Sequence, residues 1–174
     1  MRRILSKRFF YGPTLRVAKE LLGKFLVRRI GRREIAGMVI EVEAYVGPND
    51  RASHASKGRT PRTEVMFGPA GYWYVYLVYG MYHCLNIVTE AEKYPAAVLI
   101  RAVALDGADG PGKVCLHFDI DRRFNTKPAA KRSGLWIEDR GIKINPRAMR
   151  RGKRIGVHYA GEWREKPWRF FIDE

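Results

Sequence analysis

Residues 72–88 read YWYVYLVYGMYHCLNIV, and bulky side chains alternate along both halves of this stretch. Aromatic and β-branched residues at intervals of two are typical of β-strands. Gly80 interrupts the alternation and is well suited to a tight turn. The stretch therefore predicts a β-hairpin with arms at 72–79 and 82–89 and a tip at 79–82.

The two faces of the first arm differ in polarity. Trp73, Val75 and Leu77 share one face, which we expect to enter the hydrophobic core. Three tyrosines share the other face: Tyr72, Tyr74 and Tyr76. A buried tyrosine hydroxyl needs a hydrogen-bond partner, whereas an accessible tyrosine ring can stack on a nucleobase. The residues alone leave both interpretations open for this second face.

A second strand is predicted at 38–45, where the side-chain pattern again has a period of two. The predicted core face consists of Met38, Ile40, Val42 and Ala44. The opposite face consists of Val39, Glu41, Glu43 and Tyr45. A buried carboxylate is costly unless it is paired or has a chemical role. For Glu41 the simplest interpretation is an ion pair with an arginine.

Glu43 has a second interpretation because of its neighbours. It precedes Tyr45 by two residues and lies shortly before the polar loop that carries His54. A carboxylate, a phenol ring and an imidazole can therefore converge. A hydrolytic site that recognises a nucleobase would need these groups.

The flanking segments suggest a mixture of helices and strands. Residues 14–29 have apolar positions at helical spacing behind Thr14, a plausible cap. Residues 96–105 form an apolar strand interrupted by Arg101. Pro111 is suited to the first turn of a helix near Lys113.

The tail, residues 155–172, is predicted to form a strand, a turn and a strand. Because strands and helices follow one another irregularly, we expect a single α+β domain over residues 1–174. Its sheet would be mostly antiparallel.

The charge of the chain points to a polyanionic partner. It holds 33 Lys and Arg against 18 Asp and Glu, a formal charge of +15, with a sequence pI of about 10.2. Basic runs at 1–33 and 147–169 suggest a surface for nucleic-acid phosphates. A membrane partner is not expected, because neither a lipidation motif nor an apolar run of about 20 residues is present.

The cysteines and histidines favour neither a disulfide nor a metal site. Cys84 and Cys115 are expected to be reduced and buried. No CxxC or HxxxH spacing occurs, so we expect no metal and no cofactor. Lys7 and Arg8 interrupt the first apolar residues, so no signal peptide is expected. A cytoplasmic, nucleoid-associated location fits.

Long segments resemble one known family, the alkyladenine (3-methyladenine) DNA glycosylases. Four of them occur in the family's order and at about its spacing: EVEAYVGPNDRASHASKGRTPR, MFGPAGYWYVYLVYGMYHCLN, VLIRA and AGEWREKP. The family's opening helix is similar to FFYGPTLRVAKELLGKFLVRR. The resemblance covers nearly the whole chain. It implies a fold similar to the formyltransferase C-terminal type, with a curved antiparallel sheet and no metal.

The resemblance also implies the chemical centre. Glu43 matches the residue that activates water for attack on the anomeric carbon of the nucleotide. Arg101 matches an arginine close to the phosphate and the water. The main-chain carbonyl near Ile155 is implied to hold the same water.

Five further residues match positions that bind the nucleotide. Tyr45 and Tyr76 resemble the aromatics that sandwich a flipped-out base, and His54 resembles its hydrogen-bond partner. Asn86 matches the position that crowds the exocyclic amine of normal guanine. Tyr79 matches the wedge that enters the minor groove and fills the gap left by the extruded nucleotide.

The implied enzyme is a monomeric, monofunctional glycosylase acting on double-stranded DNA. Its expected substrates are 3-methyladenine, 7-methylguanine and hypoxanthine, and its product is an abasic site. No lysine lies in the predicted site motifs, so Schiff-base strand cleavage is not expected. The alternative that the basic composition leaves open is a non-catalytic nucleic-acid-binding module.

Overall fold

The computed structural model describes residues 2–173, in which nine strands form one sheet accompanied by three short α helices. The strands are β1 Arg3–Ile4, β2 Phe25–Ile30, β3 Arg33–Val46, β4 Trp73–Val78, β5 Tyr82–Val88, β6 Ala96–Ala104, β7 Leu135–Asp139, β8 Met149–Gly152 and β9 Arg169–Ile172. The α helices are α1 Lys7–Phe10, α2 Thr14–Leu21 and α3 Pro111–His117.

The sheet has the order β1-β7-β2-β3-β6-β5-β4, and the strand pairs described are antiparallel. The long strand β3 pairs with β6 along one side. Along its other side it pairs first with β2 and then with β9, which also pairs with β8. These pairings confirm the α+β class with a mostly antiparallel sheet.

The hairpin predicted at 72–89 is confirmed. β4 and β5 pair from Trp73 opposite Ile87 to Val78 opposite Tyr82. Trp73 and Val75 are buried as predicted, but Leu77 is 37% exposed. The prediction for Leu77 is wrong because this end of the hairpin extends beyond the layers that cover the core.

The core face predicted for residues 38–45 is wrong at its beginning. Val39 is fully buried together with Val42 and Ala44, whereas Met38 and Ile40 are only partly buried. The pairing of β3 with β6 shifts register between Val39 and Val42. Such a bulge inserts an extra residue and reverses the side-chain alternation beyond it, so simple period-two counting fails across it.

The helix predicted at 14–29 ends early, at Leu21, and is followed by β2. Gly23 has φ of +82°, a conformation that ends a helix readily. Thr14 is not the cap, because Pro13 occupies that position. Glu90 instead accepts a hydrogen bond from the backbone N–H of Thr14 at 2.7 Å.

The prediction for residues 155–172 is correct only for the last strand, β9. His158–Glu165 forms two joined turns of 3₁₀ helix, and Gly161 between them has φ of +58°. Val157 and Ala160 in this region are buried with Ala52. Packing against a distant loop therefore decided the structure of a segment whose local pattern suggested a strand.

The helix predicted near Lys113 is confirmed as α3, with Pro111 at its first position. Its residues Val114 and Cys115 are buried against the sheet. Cys84 and Cys115 are free thiols and both are buried, as predicted. Within residues 2–173, none of the helices combines the length and the apolar character needed to cross a bilayer.

Candidate active site

A cavity of about 410 Å³ opens between β3, the β4–β5 hairpin, β6 and the segment that follows β8. It is lined by all eight residues singled out from the sequence: Glu43, Tyr45, His54, Tyr76, Tyr79, Asn86, Arg101 and Ile155. The structure therefore brings these side chains together, although they come from four strands and three connecting segments. Their individual roles stay predictions.

Glu43 is a fully buried carboxylate in the wall of this cavity. The hydroxyl of Tyr45 donates to its Oε2 at 2.7 Å, and the backbone N–H of Ile155 donates to its Oε1 at 2.8 Å. Arg101 Nη1 lies 3.4 Å from Oε1. Both oxygens are thus held in a fixed orientation on β3.

Two opposing effects act on the acidity of Glu43. Burial raises the pKa of this carboxyl, because a charge is poorly solvated there. Arg101, the Ile155 amide, Tyr45 and Arg154 favour the charged form and partly offset that rise. The result is a carboxylate whose pKa lies above its ordinary value, which makes it a stronger proton acceptor.

The backbone of Ile155 contacts Glu43 directly. The amide of Ile155 donates to the carboxylate of Glu43, so the contact seen is through its nitrogen. The role implied for the carbonyl near Ile155 stays a prediction. The half-exposed side chain of Ile155 lies at the rim of the cavity.

The aromatic wall of the cavity is built by the hairpin. The ring of His54 meets Tyr76 edge to face, with centroids 4.6 Å apart, and Tyr74 lies 5.2 Å from Tyr76. Tyr74 is buried, and its hydroxyl lies 2.9 Å from His54 Nδ1. Tyr74 and Tyr76 both line the cavity, and the buried Tyr74 also holds the ring of His54 in place.

His54 is neutral at physiological pH. Burial, followed by the charges of Arg62 and Lys57, lowers its pKa to about 4. Burial raises the pKa of Tyr74 to about 12, so its hydroxyl keeps its proton. The neutral imidazole can donate or accept a hydrogen bond with a ligand but does not carry a charge near pH 7.

Asn86 is buried on β5 at the floor of the cavity. Its Nδ2 donates to the carbonyl of Tyr74 at 3.2 Å, across the hairpin. This contact fixes the side chain, so Asn86 presents a rigid polar surface. A rigid group can discriminate between ligands by steric conflict.

Tyr79 projects from the hairpin tip and is 90% exposed. Both Tyr79 and Gly80 have positive φ, at 52° and 67°, and the N–H of Met81 donates to the carbonyl of Val78. These features describe a type I′ turn, whose first central position normally holds Asn, Asp or Gly. A tyrosine there carries backbone strain, so its presence points to a role outside folding.

Sequence reasoning missed an ion pair beneath the cavity. Arg154 and Asp50 have fully buried side chains and are joined by two contacts, at 2.5 and 2.9 Å. The guanidinium also lies 4.9 Å from the Tyr45 ring and 5.0 Å from the Trp168 ring. The pair therefore supports Tyr45 from behind and anchors the loop that leads to His54.

Nothing local distinguishes this ion pair in the sequence. Asp50 lies in GPND, which looks like an ordinary turn, and Arg154 is one of eight basic residues at 147–169. Two other arginines of the same basic run form ion pairs, Arg150 with Asp173 and Arg169 with Glu41.

Two other cavity residues were also missed, Arg62 and Tyr159. The guanidinium of Arg62 lies 5.0 Å from the Tyr76 ring centroid. Tyr159 donates its hydroxyl hydrogen to the carbonyl of Ala52. Both lie in segments without regular periodicity. In the described part of the chain, no group of three or more His, Cys, Asp or Glu side chains is arranged to hold a metal ion.

The cavity combines aromatic rings, fixed polar groups and one oriented carboxylate. Such a set can accept a flat heterocycle between rings and present a proton acceptor to the bond that attaches it. The exposed tyrosine lies at the mouth of the same cavity.

Comparisons with known proteins agree on one family. A family model for methylpurine-DNA glycosylase (MPG) matches residues 8–174. Three relatives carry the name "Putative 3-methyladenine DNA glycosylase". The protein of Methanocella arvoryzae is 45% identical, and the match covers 97% of this chain and 92% of the relative. The protein of Myxococcus xanthus is 46% identical, with 97% of this chain and 89% of the relative covered. One protein of Legionella pneumophila is 45% identical, with 99% of this chain and 96% of the relative covered.

Proposed function

Because the chain belongs to the methylpurine-DNA glycosylase family, we propose that it hydrolyses the N-glycosidic bond of alkylated and deaminated purines in double-stranded DNA. Family membership makes it a DNA N-glycosylase. The proposed substrates are 3-methyladenine, 7-methylguanine and hypoxanthine. The observation that carries the proposal is Glu43, a buried and oriented carboxylate in the wall of an aromatic cavity.

The proposed reaction is a displacement by water. Glu43 accepts a proton from a water molecule while the water oxygen bonds to the anomeric carbon of the nucleotide. The N-glycosidic bond breaks, and its electron pair leaves with the purine. A base alkylated on a ring nitrogen already carries positive charge, so it leaves as a neutral molecule without further protonation.

Arg101 and Ile155 are proposed to organise this reaction. Arg101 lies beside Glu43, and its positive charge is suited to hold the phosphate of the bound nucleotide. The amide of Ile155 fixes one carboxylate oxygen. Tyr45 fixes the other, so the proton-accepting lone pair has a defined direction.

The base is proposed to enter the cavity by flipping out of the duplex. Extrusion costs a few kcal/mol and costs less at a damaged pair, whereas stacking on an aromatic ring gives about 1–3 kcal/mol per base. Tyr45 and Tyr76 would stack on the base, and the neutral His54 would form a hydrogen bond with it. Asn86 would exclude normal guanine by crowding its exocyclic amine.

The pH dependence of base release should separate the two substrate classes. For both, the rate rises with pH as Glu43 loses its proton, since the charged form is the acceptor. Hypoxanthine is a neutral leaving group and needs a proton, so its rate should also fall at alkaline pH. 7-Methylguanine should lack that alkaline fall. Single-turnover rates on two matched duplexes between pH 5 and 10 measure both profiles.

Replacing Tyr79 tests the proposed wedge. Tyr79→Asn should reduce base release from duplex DNA about tenfold or more, because nothing fills the gap left by the extruded nucleotide. The protein should be equally stable or more stable, since Asn tolerates positive φ better. Single-turnover rates and thermal melting measure both effects. An unchanged rate and unchanged affinity for lesion DNA would remove the wedge role.

The product distinguishes a monofunctional glycosylase from one that also cuts the strand. No lysine is among the described residues that line the cavity, which supports direct hydrolysis by water. A duplex with one 7-methylguanine should yield an abasic site in an intact strand that breaks only after alkali. Borohydride should trap no covalent protein–DNA adduct. We further propose that the protein acts as a monomer, in the cytoplasm at the nucleoid.

A further inference from the structure

Glu41 is the second carboxylate on β3, two residues before Glu43, and the proposed reaction gives it no part. Its Oε1 accepts a hydrogen bond from Arg101 Nε at 3.1 Å and another from Arg169 Nη1 at 3.0 Å. The three side chains are 14–25% exposed, so none is freely solvated. Arg101 thus lies between two carboxylates.

The two contacts of Arg101 are unequal. Its Nε forms a hydrogen bond with Glu41, whereas its Nη1 approaches Glu43 at 3.4 Å without forming one. A guanidinium prefers a bidentate pair with a single carboxylate, in which two N–H groups face two oxygens. Here that arrangement does not form with Glu43, because the Nε edge is held by Glu41.

A bidentate pair with Arg101 would weaken Glu43 as a base. It would occupy the lone pairs needed to accept a proton from water, and it would favour the charged carboxylate over the protonated one. Arg169 holds Glu41 from the other side and limits how far this carboxylate can follow Arg101.

We propose that Glu41 is a positioning residue for the proposed hydrolysis: it keeps Arg101 from closing over Glu43 and so leaves a lone pair of that carboxylate free to accept a proton. The inference rests on the proposed function of Glu43. It assigns a role to a carboxylate that would otherwise count as a structural ion pair.

Several charged or titratable groups face Glu43 besides Arg101. They are Tyr45 on its own strand, Tyr76 and Cys84 on the hairpin, and Arg154 and Tyr159 after β8. None of them contacts Glu41 in the hydrogen bonds and ion pairs of the described residues. A change at Glu41 should therefore reach Glu43 through Arg101.

The test is the pH profile of 7-methylguanine release by Glu41→Gln, for which Glu43 is the expected titrating group. Without the negative charge of Glu41, Arg101 is free to pair with Glu43 and lowers its pKa. The acid limb, the part of the profile in which the rate rises with pH, should move to lower pH by about one unit. The plateau rate that follows it at higher pH should fall about fivefold, because the base is weaker. A merely structural ion pair would leave the plateau rate unchanged, and a direct effect of the Glu41 charge on Glu43 would still move the acid limb in the Arg101→Gln background.

Two controls make the result specific. Glu138→Gln removes another buried carboxylate with an arginine partner, on β7, and should leave the acid limb unmoved. In the background of Arg101→Gln, Glu41→Gln should have little additional effect, because the two residues act in series. If Glu41→Gln unfolds, Glu41→Asp should give a smaller shift in the same direction.

An acid limb unmoved and a plateau within twofold of the wild type would overturn the inference. The same variants separate this failure from a failure of the proposed function. If the wild type releases the base and Glu43→Gln does not, the hydrolytic role of Glu43 stands whatever Glu41 does.

Discussion

Replacing Glu43 with glutamine is expected to lower the single-turnover rate of base release by about 10²–10⁴-fold, the usual contribution of a general base. Glutamine has nearly the same shape and can still accept the hydrogen bond from the Ile155 amide. It cannot take a proton from water. Rates are measured with protein in excess over a duplex that carries one 7-methylguanine.

The same variant should keep its fold and its affinity for DNA. Burial raises the pKa of Glu43 in the folded protein, so the folded state binds more protons than the unfolded one. The stability contributed by this group then falls as pH rises from the unfolded pKa of Glu43 to its higher folded pKa. Glutamine has no charge to bury, so Glu43→Gln should melt at the wild-type temperature or above it. A near wild-type rate with intact binding would contradict the assigned role.

The largest effect on folding is expected from Asp50→Asn. Arg154 would keep its charge in a fully buried position without a counter-charge, and removing one partner of a buried pair costs about 3–5 kcal/mol. Urea unfolding measures the change. The variant should also bind lesion DNA more weakly, because Arg154 supports the Tyr45 ring.

A matched control is available at the surface. Arg59 and Glu64 form an ion pair at 2.8 Å in which both side chains are more than half exposed. Glu64→Gln should change the free energy of unfolding by about 0.5 kcal/mol or less, because exposed pairs contribute little. Arg154→Met added to Asp50→Asn should recover part of the lost stability. A change below about 1 kcal/mol for Asp50→Asn would show that Arg154 finds another partner or reaches solvent.

The elements predicted well are those whose local pattern agrees with their surroundings. Alternating side chains and Gly80 were enough to locate the hairpin, and Pro111 marked the beginning of α3. The predictions that failed depend on distant contacts. The bulge in β3 between Val39 and Val42 and the turns at His158–Glu165 follow from pairing and packing with other segments.

In the candidate site, too, the features that depend on local sequence were predicted and those that depend on distant contacts were not. Long motifs shared with a family identified eight residues that line one cavity. Periodicity alone placed Glu41 and Glu43 on one face of the predicted strand and did not distinguish them from each other. Their difference depends on Arg101 and Arg169, which approach from β6 and β9. The buried Asp50–Arg154 pair joins residues 104 positions apart, and a single sequence offers no signal for such a contact.

The proposed hydrolysis is tested by identifying the free base that the protein releases from methylated duplex DNA. The protein is incubated with the DNA at neutral pH, and the small molecules are separated by chromatography. We expect free 3-methyladenine or 7-methylguanine in an amount equal to the abasic sites formed, and none above background with Glu43→Gln. Tight binding of the same duplex without any released base would contradict it and would favour a non-catalytic binding protein.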